Sequence, residues 1–188
     1  IFNLDIKVLQ QFDFLSQGNN LISFIGLDSS DNSIQSIFNP IQENLTHIFT
    51  ENYASIFLDD YNNGSWFGSL DSLESQRGYW LRLENEDSFE IETYRFIDQD
   101  DEIEYSLHYG NNLLSYISEE VYSDIDDVLP DDIEELFTDV IGENTSATRI
   151  NGEWVGSLAN NGLQPLRGYW FNVTEDVDFS YIFSDNLA

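Results

Sequence analysis

The 188-residue chain sets 36 Asp and Glu against six Lys and Arg. The resulting net charge of −30 excludes nucleic acid bound through phosphate neutralisation and anionic membrane surfaces as partners. Absence of Cys excludes disulfides, thiolate metal sites and cysteine nucleophiles, while 41% hydrophobic and 15% aromatic residues mark a globular chain.

In chain order, Leu4, Ile6 and Val8 alternate with Asp5 and Lys7, and Phe12 and Phe14 follow. This is the period-two pattern of a strand with one buried face. Gly18-Asn19-Asn20 predicts a tight turn into a short apolar strand, Leu21–Ile25. Ile34, Ile37, Phe38, Ile41 and Leu45 fall at spacings of three and four and predict a helix, shortened or kinked by Pro40. Residues 47–58 are rich in β-formers, and Asn62-Asn63-Gly64 supplies a hairpin turn into Ser65–Leu70. Arg77-Gly78-Tyr79-Trp80 opens an alternating strand, and Phe89–Phe96 closes the unit.

The same order then recurs. Ile103, Tyr105, Leu107 and Tyr109 alternate with polar residues; Gly110-Asn111-Asn112 turns into Leu113–Ile117. Ile133, Leu136, Phe137 and Val140 predict a second helix, begun by Pro130-Asp131-Asp132. Asn151-Gly152 joins Ala147–Ile150 to Glu153–Leu158 as a hairpin; Arg167-Gly168-Tyr169-Trp170 and Phe179–Phe183 finish the chain. Gly18-Asn-Asn-Leu-Ile-Ser23 matches Gly110-Asn-Asn-Leu-Leu-Ser115, and Trp66-Phe-Gly-Ser-Leu70 matches Trp154-Val-Gly-Ser-Leu158. A period near 90 residues reads as a tandem duplication. The expected fold is α+β, predominantly antiparallel β, in two tandem copies of one small module with one short helix each. Module 1 covers residues 1–97 and module 2 residues 98–188, with the acidic Asp98-Gln99-Asp100-Asp101-Glu102 between them.

Candidate chemistry is sparse. His47 and His108 are not at equivalent positions and neither sits in a nucleophile elbow, metal-ligand pair or phosphate loop, so no catalytic residue and no enzyme is expected. Trp66, Tyr79, Trp80, Trp154, Tyr169 and Trp170 have two readings: core, or a sugar-stacking face. Core is favoured, with at least one ring of each Tyr-Trp pair, the Trp in preference to the Tyr, expected to pack against the helix residues Ile37, Phe38 and Ile41, or Ile133 and Phe137. Arg77 and Arg167 read as structural partners of nearby carboxylates or a loop carbonyl rather than as anion clamps. The oxygen-rich runs Asp28–Asn32, Asp59–Asn63, Asp98–Glu102 and Asp124–Asp127 raise a structural calcium ion, but none fits the EF-hand spacing and no cofactor is expected. Sequons at Asn44, Asn63, Asn144 and Asn172 are what an Asn-rich chain carries by chance. With no Met, the residues read as part of a longer or processed polypeptide. No signal-peptide pattern or membrane-spanning stretch is present.

The combination Gly-x-Asn-Leu-Ile-Ser, Trp-x-Gly-Ser-Leu and Gly-Tyr-Trp resembles a module of large secreted or surface proteins of marine bacteria and of structural proteins of marine phages, cyanophages among them. The resemblance covers residues 18–91 and 110–183; Asn19 and Asn111 stand where Trp often follows the Gly. It implies an extracellular or virion building block, such as a decoration, tail or fibre part, with protein partners, self-association among them, and no catalytic residues. A carbohydrate-binding module using exposed Trp or Tyr is the alternative, with glycans as partners.

A charge of −30 opposes compaction through self-repulsion, and salt screens it over a Debye length of about 4 Å at seawater-like ionic strength. The melting temperature is therefore expected to rise from low to seawater NaCl. A flat response would mean that the charges are already well spaced, and a much larger rise with low millimolar calcium at matched ionic strength would reveal specific calcium sites.

Overall fold

The structure, a computed structural model, describes residues 4–27, 30–59, 64–97, 103–118 and 124–182. Strands dominate. In the first half, β1 (Leu4–Leu15) and β7 (Asp87–Ile97) form an antiparallel ribbon. Between them lie β2 (Gly18–Ile22), the one-turn helix α1 (Ile34–Ile37), β3 (Leu45–Thr50), β4 (Tyr53–Leu58), β5 (Ser65–Gly68) and β6 (Tyr79–Leu83). Their five strands make one antiparallel sheet in the order β2-β6-β3-β4-β5.

The second half contains β8 (Tyr105–Leu107), β9 (Gly110–Ser115), α2 (Ile125–Val128), β10 (Phe137–Gly142), β11 (Thr145–Ile150), β12 (Glu153–Gly156), α3 (Ser157–Asn161), β13 (Gly168–Val173) and β14 (Val177–Phe179). Its sheet runs β9-β13-β10-β11-β12, the same order as in the first half, and β8 pairs β14 as β1 pairs β7. Each half has its own apolar core. One gathers Phe12, Phe24, Phe38, Ile48, Tyr79 and Leu81; the other gathers Tyr116, Ile125, Phe137, Val140, Tyr169 and Phe171. The acidic boundary run 98–102 lies outside the described residues.

The helical expectations need correcting. Ile34 and Ile37 are helical and Asn39–Ile41 forms a 3-10 turn around Pro40, but Leu45 opens strand β3. In the second half the helical turns are α2 and α3, with a 3-10 turn at Glu134–Leu136, and Phe137 and Val140 lie on β10. A β-bulge explains the misreading. The register shifts between Phe137 and Asp139, and likewise between Leu45 and His47. One extra residue reverses the in–out parity, so Phe137 and Val140, like Leu45 and Ile48, are three apart yet all buried. That spacing imitates a helix face.

Gly18-Asn19-Asn20 and Gly110-Asn111-Asn112 belong to strands β2 and β9 rather than to a tight turn, and the bend before each has a side-chain brace. Asn20 accepts from Ser16 N–H through Oδ1 (2.8 Å) and donates through Nδ2 to Ser16 O (2.8 Å). Asn112 makes the same pair with His108 (3.0 and 2.8 Å). Both amides are buried, and each satisfies backbone groups that the turn leaves without strand partners.

The halves join through the same motifs. Ser23 N–H donates to Leu166 O (3.0 Å), and reciprocally Ser115 N–H donates to Gln76 O (3.1 Å). Isolated antiparallel bridges pair Ile22 with Arg167 and Leu114 with Arg77. Edge strands β2 and β9 thus pair with the chain entering β13 and β6. A Cβ on Gly168 would lie 2.8 Å from Ile22 O and 3.1 Å from Gly78 Cα; one on Gly78 would lie 2.9 Å from Leu114 O. Glycine is required where these backbones approach each other. Gly168→Ala should force the strands apart and cost about 1–3 kcal/mol, read as a lower denaturant midpoint at unchanged slope. Unaltered stability would show that the junction has slack.

Candidate functional site

Two clefts flank the junction. The first, about 330 Å³, is lined by Glu51, Glu74, Arg77, Glu104 and His108 among others. The second, about 250 Å³, is lined by Phe14, Glu143, Asn144, Gln164 and Arg167 among others. A Glu-Asn turn occupies each: Asn52 and Asn144 take positive φ between the paired strands, leaving Glu51 and Glu143 to reach across. Glu143 Oε2 accepts the edge N–H of Leu21 (2.9 Å), and Glu51 Oε2 accepts that of Leu113 (3.3 Å). Both carboxylates therefore cap a strand edge of the opposite half. Glu-Asn occurs four times in the sequence, and only the 92-residue offset between Glu51 and Glu143, the same as between Gly18 and Gly110, distinguishes this pair.

The repeated arginines are held structurally. Arg77 Nε donates to Glu74 Oε2 at 2.8 Å. At Arg167 the guanidinium lies 3.5 Å over the Phe14 ring and 3.6 Å from Glu143, and burial lowers its pKa. Five residues before the buried tyrosine the first cleft has Glu74 and the second Gln164. A further ion pair lies in the second half's core wall, where Arg149 donates to Glu134 (2.7 Å) and Trp154 Nε1 donates to the other Glu134 oxygen (2.7 Å). Burial raises the pKa of Glu134.

The six aromatic candidates do not form one surface. Tyr79 and Tyr169 are buried, and the expectation that the Trp would be the core ring of each pair is overturned. Tyr79 Oη accepts from Glu74 N–H (2.7 Å) and Tyr169 Oη from Gln164 N–H (2.8 Å). An indole N–H only donates and could not fill that role. Desolvation pushes both phenols up to about 12. Trp66 and Trp154 face inward and pack against the two cores. Trp80 and Trp170 lie on the outer faces, only partly covered, with Trp80 stacked on Phe49 (centroids 6.2 Å apart, planes at 16°).

Those outer faces were missed at the sequence level, and they differ chemically. Cross-strand partners share a face. On the first sheet, Trp80 neighbours Phe49, and a row runs Arg82–His47–Ile56–Phe67. Phe49, Ile56, Leu58 and Phe67 are 37–41% exposed. None of the five strands contains an Asp or Glu. On the second sheet the same places carry Trp170 beside Ile141, and the row Asn172–Asp139–Thr148–Val155, with Glu153 opposite Ile150. Ile141, Ile150 and Val155 are 45–52% exposed.

No group of three or more His, Asp or Glu among the described residues is placed to hold a metal ion. Asp28 and Ser29, residues 60–63 and residues 98–102 of the acidic runs lie outside the described residues. Asp31 instead accepts from the Ser33 and Ser36 hydroxyls at the start of α1, bonds that lower its pKa. No described helix is long and apolar enough to cross a membrane. No family model, curated protein or solved structure matches the chain.

The first cleft titrates. His108 Nε2 meets Glu51 Oε1 at 2.5 Å and Nδ1 meets Tyr109 O at 2.8 Å. These bonds, with Asp176 adding a smaller attraction, raise its pKa above 6.5. Glu74, Glu104 and Arg77 complete the charged lining. A raised folded-state pKa favours the protonated fold, so the contribution is full below the unfolded value of 6.5 and is lost as pH rises through the higher folded value. The stability difference between the parent chain and His108→Gln should therefore shrink between about pH 6 and pH 9. A difference that stays constant across that range would remove His108 from the junction's energetics.

Proposed function

We propose that the chain is a non-enzymatic structural and interaction module of an extracellular assembly, a virion part or a surface protein, built from two tandem copies of one unit. The observation that carries this reading is the use of the repeated residues. Gly78, Gly168, Ser23, Ser115, Asn20 and Asn112 hold the framework and the junction together. Motif residues committed to packing and backbone pairing are the pattern of a building block. The resemblance to marine surface and virion modules agrees with it, as does a charge that salt must screen. What the framework displays is a pair of outer sheet faces with exposed apolar side chains, which suit contact with protein neighbours.

The stacked, partly covered Trp80 and Phe49, beside Arg82, favour one second reading: a sugar-binding face on the first sheet. Titrating neutral and acidic polysaccharides at seawater salt while following the indole N–H signals of Trp80 and Trp170 separates the two. The expected outcome is no saturable shift, together with immunogold labelling of the native chain on the outside of particles or cells. Saturable shifts at Trp80 that vanish in a folded Trp80→Ala variant would replace the structural reading by the glycan one.

A further inference from the structure

We propose that the two outer sheet faces are complementary halves of one interface, so that the first-half face of one copy of this chain docks on the second-half face of the next. This deepens the proposed function, on which it rests, by naming the partner. Equivalent places on the two sheets have opposite character. Where the first face has the basic pair His47–Arg82, the second has Asp139–Asn172; where the first has Ser65, the second has Glu153. Both surround these groups with exposed apolar side chains: Phe49, Ile56 and Phe67 on one face, Ile141, Ile150 and Val155 on the other. The first face is free of carboxylates on its strands in a chain with 36 of them.

Charge complementarity selects this pairing over the symmetric ones. Two second-half faces would set Asp139 and Glu153 against their own kind. Two first-half faces would oppose Arg82 to Arg82 and leave both acidic faces uncovered. Only the unlike pair places Arg82 and His47 against Asp139 and Glu153 while covering both apolar patches. Because the contact joins two unlike faces, it is heterologous and propagates into a chain or closes into a ring.

Size sets its strength. Five strands about 4.8 Å apart and about five residues long make a footprint of roughly 24 by 17 Å, or about 400 Å² a side. That lies at the transient end of protein interfaces, so the contact depends on high local concentration, as in a particle or surface array. Long-range repulsion at −30 weakens it further at low salt.

Sedimentation velocity of the whole chain tests the proposal, over rising protein concentration in low and seawater NaCl. The parent chain should grow beyond a dimer with concentration, and more so in high salt. Ile56→Glu on the first face and Val155→Lys on the second are surface changes whose folding is checked by thermal melts. Each variant alone should stay monomeric, while an equimolar mixture should form a heterodimer and stop there, each partner having one intact face. A monomeric parent at all concentrations, variants that assemble alone like the parent, or a mixture that stays monomeric would each overturn the proposal. These outcomes leave surface location and the absence of glycan binding to be judged separately, so this inference can fail while the structural role stands.

Discussion

The near-contact of two backbones at Gly78 and Gly168 is the constraint on which the rest of the molecule depends. Strands β2 and β9 end their sheets, and an end strand presents unpaired N–H and C=O groups that invite stray pairing. Each half covers the other's edge. Ser23 and Ser115 donate to carbonyls across the junction, and Glu143 and Glu51 take the N–H groups of Leu21 and Leu113. That arrangement needs the chains entering β6 and β13 within van der Waals distance of each other, which a side chain at either glycine would prevent. Two small cores without a disulfide are thereby fastened at a shared seam.

Much of this architecture was legible in residue patterns, for definite reasons. Alternation announced the strands, and Asn151-Gly152 announced its hairpin because a two-residue turn of this kind needs positive φ at both places, as found. Other parts were hidden. Phe137 and Val140 read as helix because a bulge makes residues three apart share a face, and periodicity alone cannot separate those cases. In Tyr79-Trp80 and Tyr169-Trp170, alternation shows that the rings point opposite ways but not which way is in. The decision comes from the loop before the strand, whose N–H at Glu74 or Gln164 needs an acceptor that tyrosine has and tryptophan lacks. Glu51 and Glu143 were lost among 36 carboxylates; only the paths of the strands bring them to the opposite edge.

The placement of charge explains how a chain of −30 keeps its sheets intact. Apart from tyrosines, both sheets hold few ionisable side chains: Arg82 and His47 in the first, Asp139, Arg149 and Glu153 in the second. Among the described residues most carboxylates lie in turns and connections, where water and salt reach them and mutual repulsion is screened. The inward-facing exception, Arg149, is neutralised at 2.7 Å by Glu134, which also receives the Trp154 indole. Breaking that pair would strand a largely desolvated charge, so the group acts as a unit and not as a reserve of free charge.

Between the halves, what differs is as informative as what recurs. Most inward positions keep their aromatic or apolar character: Tyr79 and Tyr169, Leu81 and Phe171, Ile48 and Val140 occupy matching register positions, while Arg149 stands where the first sheet has Phe57. Outward positions do not: His47 stands opposite Asp139, Ile56 opposite Thr148, and Phe67 opposite Val155 in the two sheets. A core resists change because a single methylene is felt there, whereas an exposed face drifts unless something contacts it. Drift alone would scatter carboxylates over both faces at the frequency found elsewhere in so acidic a chain. Their absence from the strands of the first sheet, where His47 and Arg82 face outward beside the exposed Phe49, Ile56, Leu58 and Phe67, is the observation on which the proposed contact on that side rests. Within the proposed duplication, one copy's face sets basic groups among its exposed apolar side chains and the other's sets acidic ones, a difference that two repeats can hold without disturbing the seam that both share.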